Sequence, residues 1–284
     1  MTHNASAWGK LDRSVADRTQ APRLTLVAHC IDVAAVTRAL LDLPTWRRRL
    51  LCLAQRPRFT ATDLDRLTVL AFLHDAGKAG AGFYSKALSK EKRSEWRRRA
   101  SAPDGAFGHT RVVAALLDVH DAAIQPHRFA LGLDAIERWG GADRVEDQVP
   151  MLDLWLACVS HHGDPLCHDE LAATSQPGAA TWLHPIDDYS PLNGLLALGT
   201  AARALWPRAF DDETPFGRPT PALTHAIAGV VSLADWIGSN AAESHFPYGL
   251  GGQQGIERWP IAIDRARQVL QRLRIDVEAA RASL

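Results

Sequence analysis

The sequence predicts an all-α fold, and three observations carry that prediction. Apolar residues recur at helical spacing through most of the long stretches. Strand signals are nearly absent: there is no sustained apolar–polar alternation and no Asn-Gly or Asp-Gly hairpin. Helix punctuation recurs at the right places, with hydroxyl residues or proline before the periodic runs and glycine or proline after them.

Taken in order, residues 24–43 (LTLVAHCIDVAAVTRALLDL) form a first helix that stops before Pro44. Residues 63–76 (DLDRLTVLAFLHDA) form a second, behind Thr62 as N-cap and ending at Gly77. Residues 109–119 and 150–162 follow as helices, the latter with Pro150 at a tolerated first-turn position. Residues 221–238 start the same way at Pro221, and 261–282 alternate basic and apolar residues as a surface helix does. Two stretches read as irregular, 98–108 and the Pro- and Gly-rich 164–220. The second is long for a loop inside a compact domain. No internal repeat interrupts this pattern, and 1–284 reads as one domain with 164–220 as its loop-rich segment.

Composition excludes several classes. The 32 basic residues balance the 32 acidic ones, so the chain lacks the positive excess of a protein that grips nucleic acid by charge alone. No run approaches the ~20 apolar residues of a membrane helix. The start, MTHNASAWGKLDRS, has no signal-peptide core. Cys30, Cys52, Cys158 and Cys167 make no C-x-x-C pair and read as buried free thiols of a reducing cytoplasm. A soluble cytoplasmic protein with no membrane partner is expected.

The informative residues are polar groups set at the ends or in the middle of apolar helices. His29 interrupts LTLVA-CIDVA, and His74-Asp75 close the next helix. His109 opens the helix after a Pro/Gly loop, His161-His162 end another, and Asp235 interrupts VVSLA-WIG. Singly, each has an ordinary reading as a satisfied core histidine or a structural acceptor. Together they are five imidazoles and two carboxylates delivered by five helices. Burying such a set is costly unless something pairs it. Imidazole with carboxylate suits divalent transition metals, and this set can hold two, one Asp bridging.

The order H…HD…H…HH…D resembles the HD superfamily of metal-dependent phosphohydrolases. More narrowly, it resembles the HD nuclease domain of the type I CRISPR helicase-nuclease. WGK at 8–10, HCIDVAAV at 29–36, LHDAGK at 73–78, GHT at 108–110, SHHG at 160–163 and SLADWIGSN at 232–240 carry the likeness. The resemblance implies an HD-domain helical bundle with a dinuclear metal centre. His29, His74, Asp75 and Asp235 would hold one ion, and Asp75 would bridge to a second held by His109, His161 and His162. Asp75 and Lys78 would be the catalytic pair, with Lys78, Ser239 and Asn240 toward the substrate. The ions would be two divalent transition metals, drawn from Fe, Mn, Co, Ni or Zn. The reaction implied is hydrolysis of single-stranded DNA, endo- or exonucleolytic, in CRISPR interference. The partners implied are a helicase domain or subunit that feeds the strand and a crRNA-guided surveillance complex.

HDAGKAG fails as a phosphate loop, because Phe72 and Ala79 stand where Gly and Ser or Thr are required. The helicase is therefore expected elsewhere, and 261–284 would lead toward its linker. KEKRSEWRRR at 90–99 reads as a solvated helix in preference to a stacking platform for single strands. Trp46 with Arg47, Arg48 and Arg49 reads the same way. Lys78 has the alternative of an ordinary solvated lysine. His225 reads as structural, His168 as an outer-shell candidate, and Asp32 as a surface carboxylate in preference to a metal-ligand acceptor. Two rival functions remain: a nucleotide or cyclic-dinucleotide phosphohydrolase of the HD type, and a non-catalytic HD scaffold. Because histidines bind metal neutral, binding is expected to weaken below their ordinary pKa of about 6.5.

Overall fold

The computed structural model describes residues 6–12, 14–99, 109–110, 112–118, 120–141, 150–163, 183–276 and 281. The long helix α1 (Leu26–Asp42) is the axis of the fold. It is buried nearly all round, which is why its sequence is apolar on every face. Thr25 caps it, the side-chain oxygen accepting from the Ala28 N–H at 3.1 Å. Helix α2 (Pro44–Ala54) follows at once, with Pro44 in its first turn.

Helix α3 (Ala61–Phe72) begins two residues earlier than its periodicity indicates. Its N-cap is Thr60, not Thr62. Thr60 and Asp63 form a reciprocal capping box, which fixes the start more firmly than a lone hydroxyl does. The helix also ends earlier, at Phe72. His74 and Asp75 lie in the turn beyond it, before a short 3₁₀ turn at Ala76–Ala79.

The basic helix α4 (Lys90–Arg99) turns Trp96 into the core, at 4% exposure. That removes Trp96 as a stacking platform and leaves the charges on a solvated face. Helices α5 (Pro150–Val159), α6 (Pro191–Leu205), α7 (Pro221–Gly238) and α8 (Trp259–Arg272) complete the bundle. Helices α3, α7 and α8 pack on α1.

Several expectations are corrected here. The segment 164–220 is not loop-rich throughout, since α6 and a short helix Pro207–Asp211 occupy its second half. Their prolines stand in the first helical turn, so residues that punctuate loops are starting helices. Residues 164–182, with Cys167 and His168, lie outside the described residues. Only Val112–Ala115 of the expected 109–119 helix is helical among the described residues. A small antiparallel hairpin, β1 (Trp8–Leu11) with β2 (Arg23–Thr25), lies before α1. At four and three residues these strands are too short to show a period in sequence. Cys52 is exposed, whereas Cys30 and Cys158 are buried.

Asp32 is no surface carboxylate. It is fully buried and takes a two-pronged ion pair from Arg258, at 2.7 and 2.8 Å. Arg258 also donates to the Leu250 and Gln253 carbonyls. The pair ties the start of α8 to α1. No described helix is long and apolar enough to cross a membrane.

Candidate metal centre

Four parts of the chain meet around Asp75. α1 presents His29, the turn after α3 presents His74 and Asp75, the turn after α5 presents His161 and His162, and α7 presents Asp235. His109 arrives from a fifth segment, held against the 3₁₀ turn by a close backbone approach. A Cβ on Gly77 would sit 1.8 Å from the His109 carbonyl oxygen, so only glycine admits that contact. Gly77 is therefore a packing residue for the site as well as a helix-stop signal.

The Asp75 carboxylate faces two groups at once. Its Oδ2 lies 2.7 Å from His29 Nε2 and 3.1 Å from His74 Nε2, with Lys78 Nζ at 2.5 Å. Its Oδ1 lies 3.1 Å from His109 Nε2 and 3.8 Å from His161 Nε2. Asp235 stands across from it, 3.6 Å from His74 Nε2 and 3.7 Å from His161 Nε2. His162 closes the outer side, its Nε2 at 3.1 Å from that of His109. The donors form two overlapping groups, His29–His74–Asp75–Asp235 and Asp75–His109–His161–His162. In each, the potential ligand atoms lie within 4.8 Å of one another, and Asp75 belongs to both.

The ring orientations are set locally. His74 Nδ1–H donates to the Ala71 carbonyl at 2.8 Å, and His161 Nδ1–H to the Cys158 carbonyl at 3.1 Å. Those bonds turn each Nε2 into the site. His74 Nε2, His161 Nε2 and Asp75 Oδ1 are buried and make no hydrogen bond among the described residues. Buried polar atoms are rarely left so, and a set of nitrogen and carboxylate donors converging in this way fits divalent transition ions.

The protonation states follow from burial and charge. Burial pushes His29 down to about 4, helped by the Lys78 ammonium. Burial likewise pushes His161 down to about 3, with His74 adding to it. Burial opposes charge on His74 too, but Asp75 and Asp235 outweigh it and carry the ring up to about 9. Burial alone would raise both carboxylates. Lys78 and His74 hold Asp75, and His74 and His29 hold Asp235, well below the ordinary range.

Lys78 is not a solvated lysine. Besides Asp75 it reaches the Gly9 carbonyl at 3.2 Å and His29 Nε2 at 3.3 Å. Ser239 donates its hydroxyl to Asp235 Oδ1 at 2.7 Å, so it orients a carboxylate of the site. Asn240 accepts from the Ala242 N–H and shapes the turn after α7. His225 is exposed on α7. Sequence reasoning missed the orienting role of Ser239, although its spacing of four residues from Asp235 on one helix face signals the contact.

The family model described as Cas3, HD domain, matches residues 8–243. The chain belongs to the Cas3 HD-domain family. No curated protein matches it. Among solved structures it is similar to a CRISPR-associated protein, with 22% identity and a TM-score of 0.56, over 94% of this chain and 26% of that one. It is also similar to the T. fusca Cas3–ATP structure, with 16% identity and a TM-score of 0.52, over 93% and 26%. A third likeness is to the Thermus thermophilus Cas3 HD domain in the presence of Ni2+, with 21% identity and a TM-score of 0.47, over 88% and 85%. At these identities the likeness is one of fold. The Cas3 HD domain seen here spans about a quarter of the length of the first two. Family membership supports a CRISPR-associated, nuclease-type role and a metal-dependent hydrolase, and the His/Asp cluster is in place for such chemistry.

Proposed function

We propose that this Cas3 HD domain hydrolyses single-stranded DNA with two divalent transition metals. The observation that supports it best is the Asp75 carboxylate, whose two oxygens face two separate donor groups. His29, His74, Asp75 and Asp235 would hold one ion, and Asp75, His109, His161 and His162 the other. Bound there, such ions supply an activated water at neutral pH and a sink for charge on the phosphoryl oxygens.

The chain's own residues prepare that chemistry. His29 and His161 are kept neutral by burial; His161 Nε2 makes no hydrogen bond among the described residues, and His29 Nε2 stands 2.7 Å from Asp75 Oδ2. His74 would hold an ion through Nε2 only as the neutral imidazole, so it would release the proton it carries in this site. Ser239 fixes the rotation of Asp235. Lys78 holds an ammonium at the rim, where it can meet a non-bridging phosphate oxygen as negative charge develops. In this reading 1–284 acts as one nuclease unit in the cytoplasm. A helicase domain or subunit delivers the strand, residues 261–284 lead toward it, and a crRNA-guided complex recruits the assembly. Delivery by a partner suits a chain whose formal net charge is zero.

The test is cleavage of circular and end-labelled linear single-stranded DNA, wild type beside Asp75→Ala, with Mn, Co, Ni, Zn or anaerobic Fe(II). Cutting of the circle that falls more than about 100-fold in the variant is expected, since even residues behind metal ligands cost 10–100-fold. A metal-loaded protein that spares DNA and hydrolyses a cyclic dinucleotide or a nucleoside triphosphate would move the site to the phosphohydrolase reading. A folded protein that binds no metal would make it a scaffold.

A further inference from the structure

The segment Trp8-Gly9-Lys10 lies along the edge of the metal centre. Trp8 is its anchor: the ring is buried against Phe83, 4.3 Å between centroids, and its N–H donates to the Tyr84 carbonyl at 3.3 Å. The pairing of β1 with β2 is irregular between Trp8 and Lys10, as at a β-bulge, a device that re-aims side chains beside functional sites. Gly9 sits in that irregularity, directly on His29. A Cβ there would lie 2.5 Å from His29 Cβ. The Gly9 carbonyl holds Lys78. The residue after it, Lys10, pairs with Leu24 of β2 and is held next to Gly9 and the site by these contacts.

Lys10 Nζ is buried and has no hydrogen-bonding partner among the described residues. It lies over the ring of the half-buried Tyr248, 5.5 Å from the centroid. The charges that act on it are Asp32, Asp235, Lys78 and Arg258. Both of those carboxylates are already engaged, Asp32 by the Arg258 fork and Asp235 by the Ser239 hydroxyl. Burial holds the ammonium down to about 8, so at neutral pH it is still mostly charged. A buried cation without a hydrogen-bond acceptor costs free energy, which an incoming anionic oxygen would offset.

We propose that Lys10 is a second phosphate contact of this site, gripping the DNA backbone between Gly9 and Tyr248 while Lys78 serves the Asp75 side. The proposal rests on the nuclease reading and adds to it a substrate-binding residue. Phosphodiester oxygens are the complementary group, because they are anionic and accept from an ammonium without regard to base. In this proposal the Tyr248 ring, over which the ammonium lies, turns aside as the phosphate enters.

The experiment compares wild type, Lys10→Met and Lys10→Arg. It measures bound metal, the kcat and KM for cutting a single-stranded oligonucleotide, and binding of that oligonucleotide across a salt series. Lys10→Met should weaken binding about tenfold, mostly in KM, and reduce the slope of log K against log salt by ~0.7, the value for one lost phosphate on a single strand. Lys10→Arg should keep the wild-type slope, and bound metal should be unchanged in both. Lys10→Gln stands in if the Met variant does not fold. An unchanged salt slope, or loss of bound metal in step with loss of binding, overturns the proposal and makes Lys10 a structural residue. A wild type that neither binds nor cuts the oligonucleotide overturns the nuclease reading and this contact with it.

Discussion

At the scale of single residues, the site is governed by which oxygen each imidazole faces. The ordinary histidine value places loss of metal binding below pH 6.5, but the folded site moves it. His29 and His161 are already neutral above about 4 and 3. They do not compete with metal at neutral pH. His74 does, because the carboxylates keep its proton up to about 9. Metal must displace that proton, so affinity should rise about tenfold per pH unit up to pH ~9 and then level off. Calorimetric titration with Mn2+ at pH 7 in buffers of different ionisation heat should show about one proton released per site formed at His74. Flat affinity between pH 6 and 8 would contradict it. Ser239→Ala frees the Asp235 carboxylate to rotate, and should weaken metal binding 10–100-fold with little effect on the melting temperature. Equilibrium dialysis beside a thermal melt separates the two effects.

At the scale of elements, most helix bodies were legible and their ends were not. The run 221–238 coincides with α7, because cap, proline and apolar period all agree there. Thr62 was one plausible cap among several hydroxyls. Thr60 takes the role because Asp63 completes a reciprocal box with it. Helix α6 escaped notice because its Pro191 and glycines also spell a loop. The HD turn itself was legible as a helix end, but not why Gly77 follows it. Gly77→Ala must push His109 away, since its Cβ would meet a backbone oxygen and not a flexible side chain. The expected cost is about 1–3 kcal/mol of stability. The expected signature is loss of the metal bound near His109 with the other retained, read as a stoichiometry falling from two to one by elemental analysis. Retention of both metals would show that the His109 segment can give way.

At the scale of the whole molecule, the Asp32–Arg258 pair joins residues 226 apart in sequence. It locks α8 onto the helix that carries His29. Both side chains are fully buried, so removing one leaves the other charged and unpaired. Asp32→Ala should therefore cost about 3–5 kcal/mol, whereas the double change Asp32→Leu with Arg258→Met should cost much less. Denaturant unfolding of both variants tests this, and equal losses would mean that packing, not charge, dominates there. The same reach from β1 to α7 brings Lys10 and Asp235 into one electrostatic field.

The helical class, the family and the His and Asp residues that converge were legible in the chain before folding. Helical period and cap chemistry are local properties, and histidines and aspartates inside apolar runs stand out wherever the chain goes. Only the tertiary structure decided the rest. It showed that Asp75 divides its two oxygens between two groups, that Ser239 serves Asp235, that Asp32 belongs to Arg258, and that a short hairpin seats Gly9 on His29. These are contacts between elements distant in sequence. They depend on which faces meet when the bundle closes, and no local pattern encodes that choice.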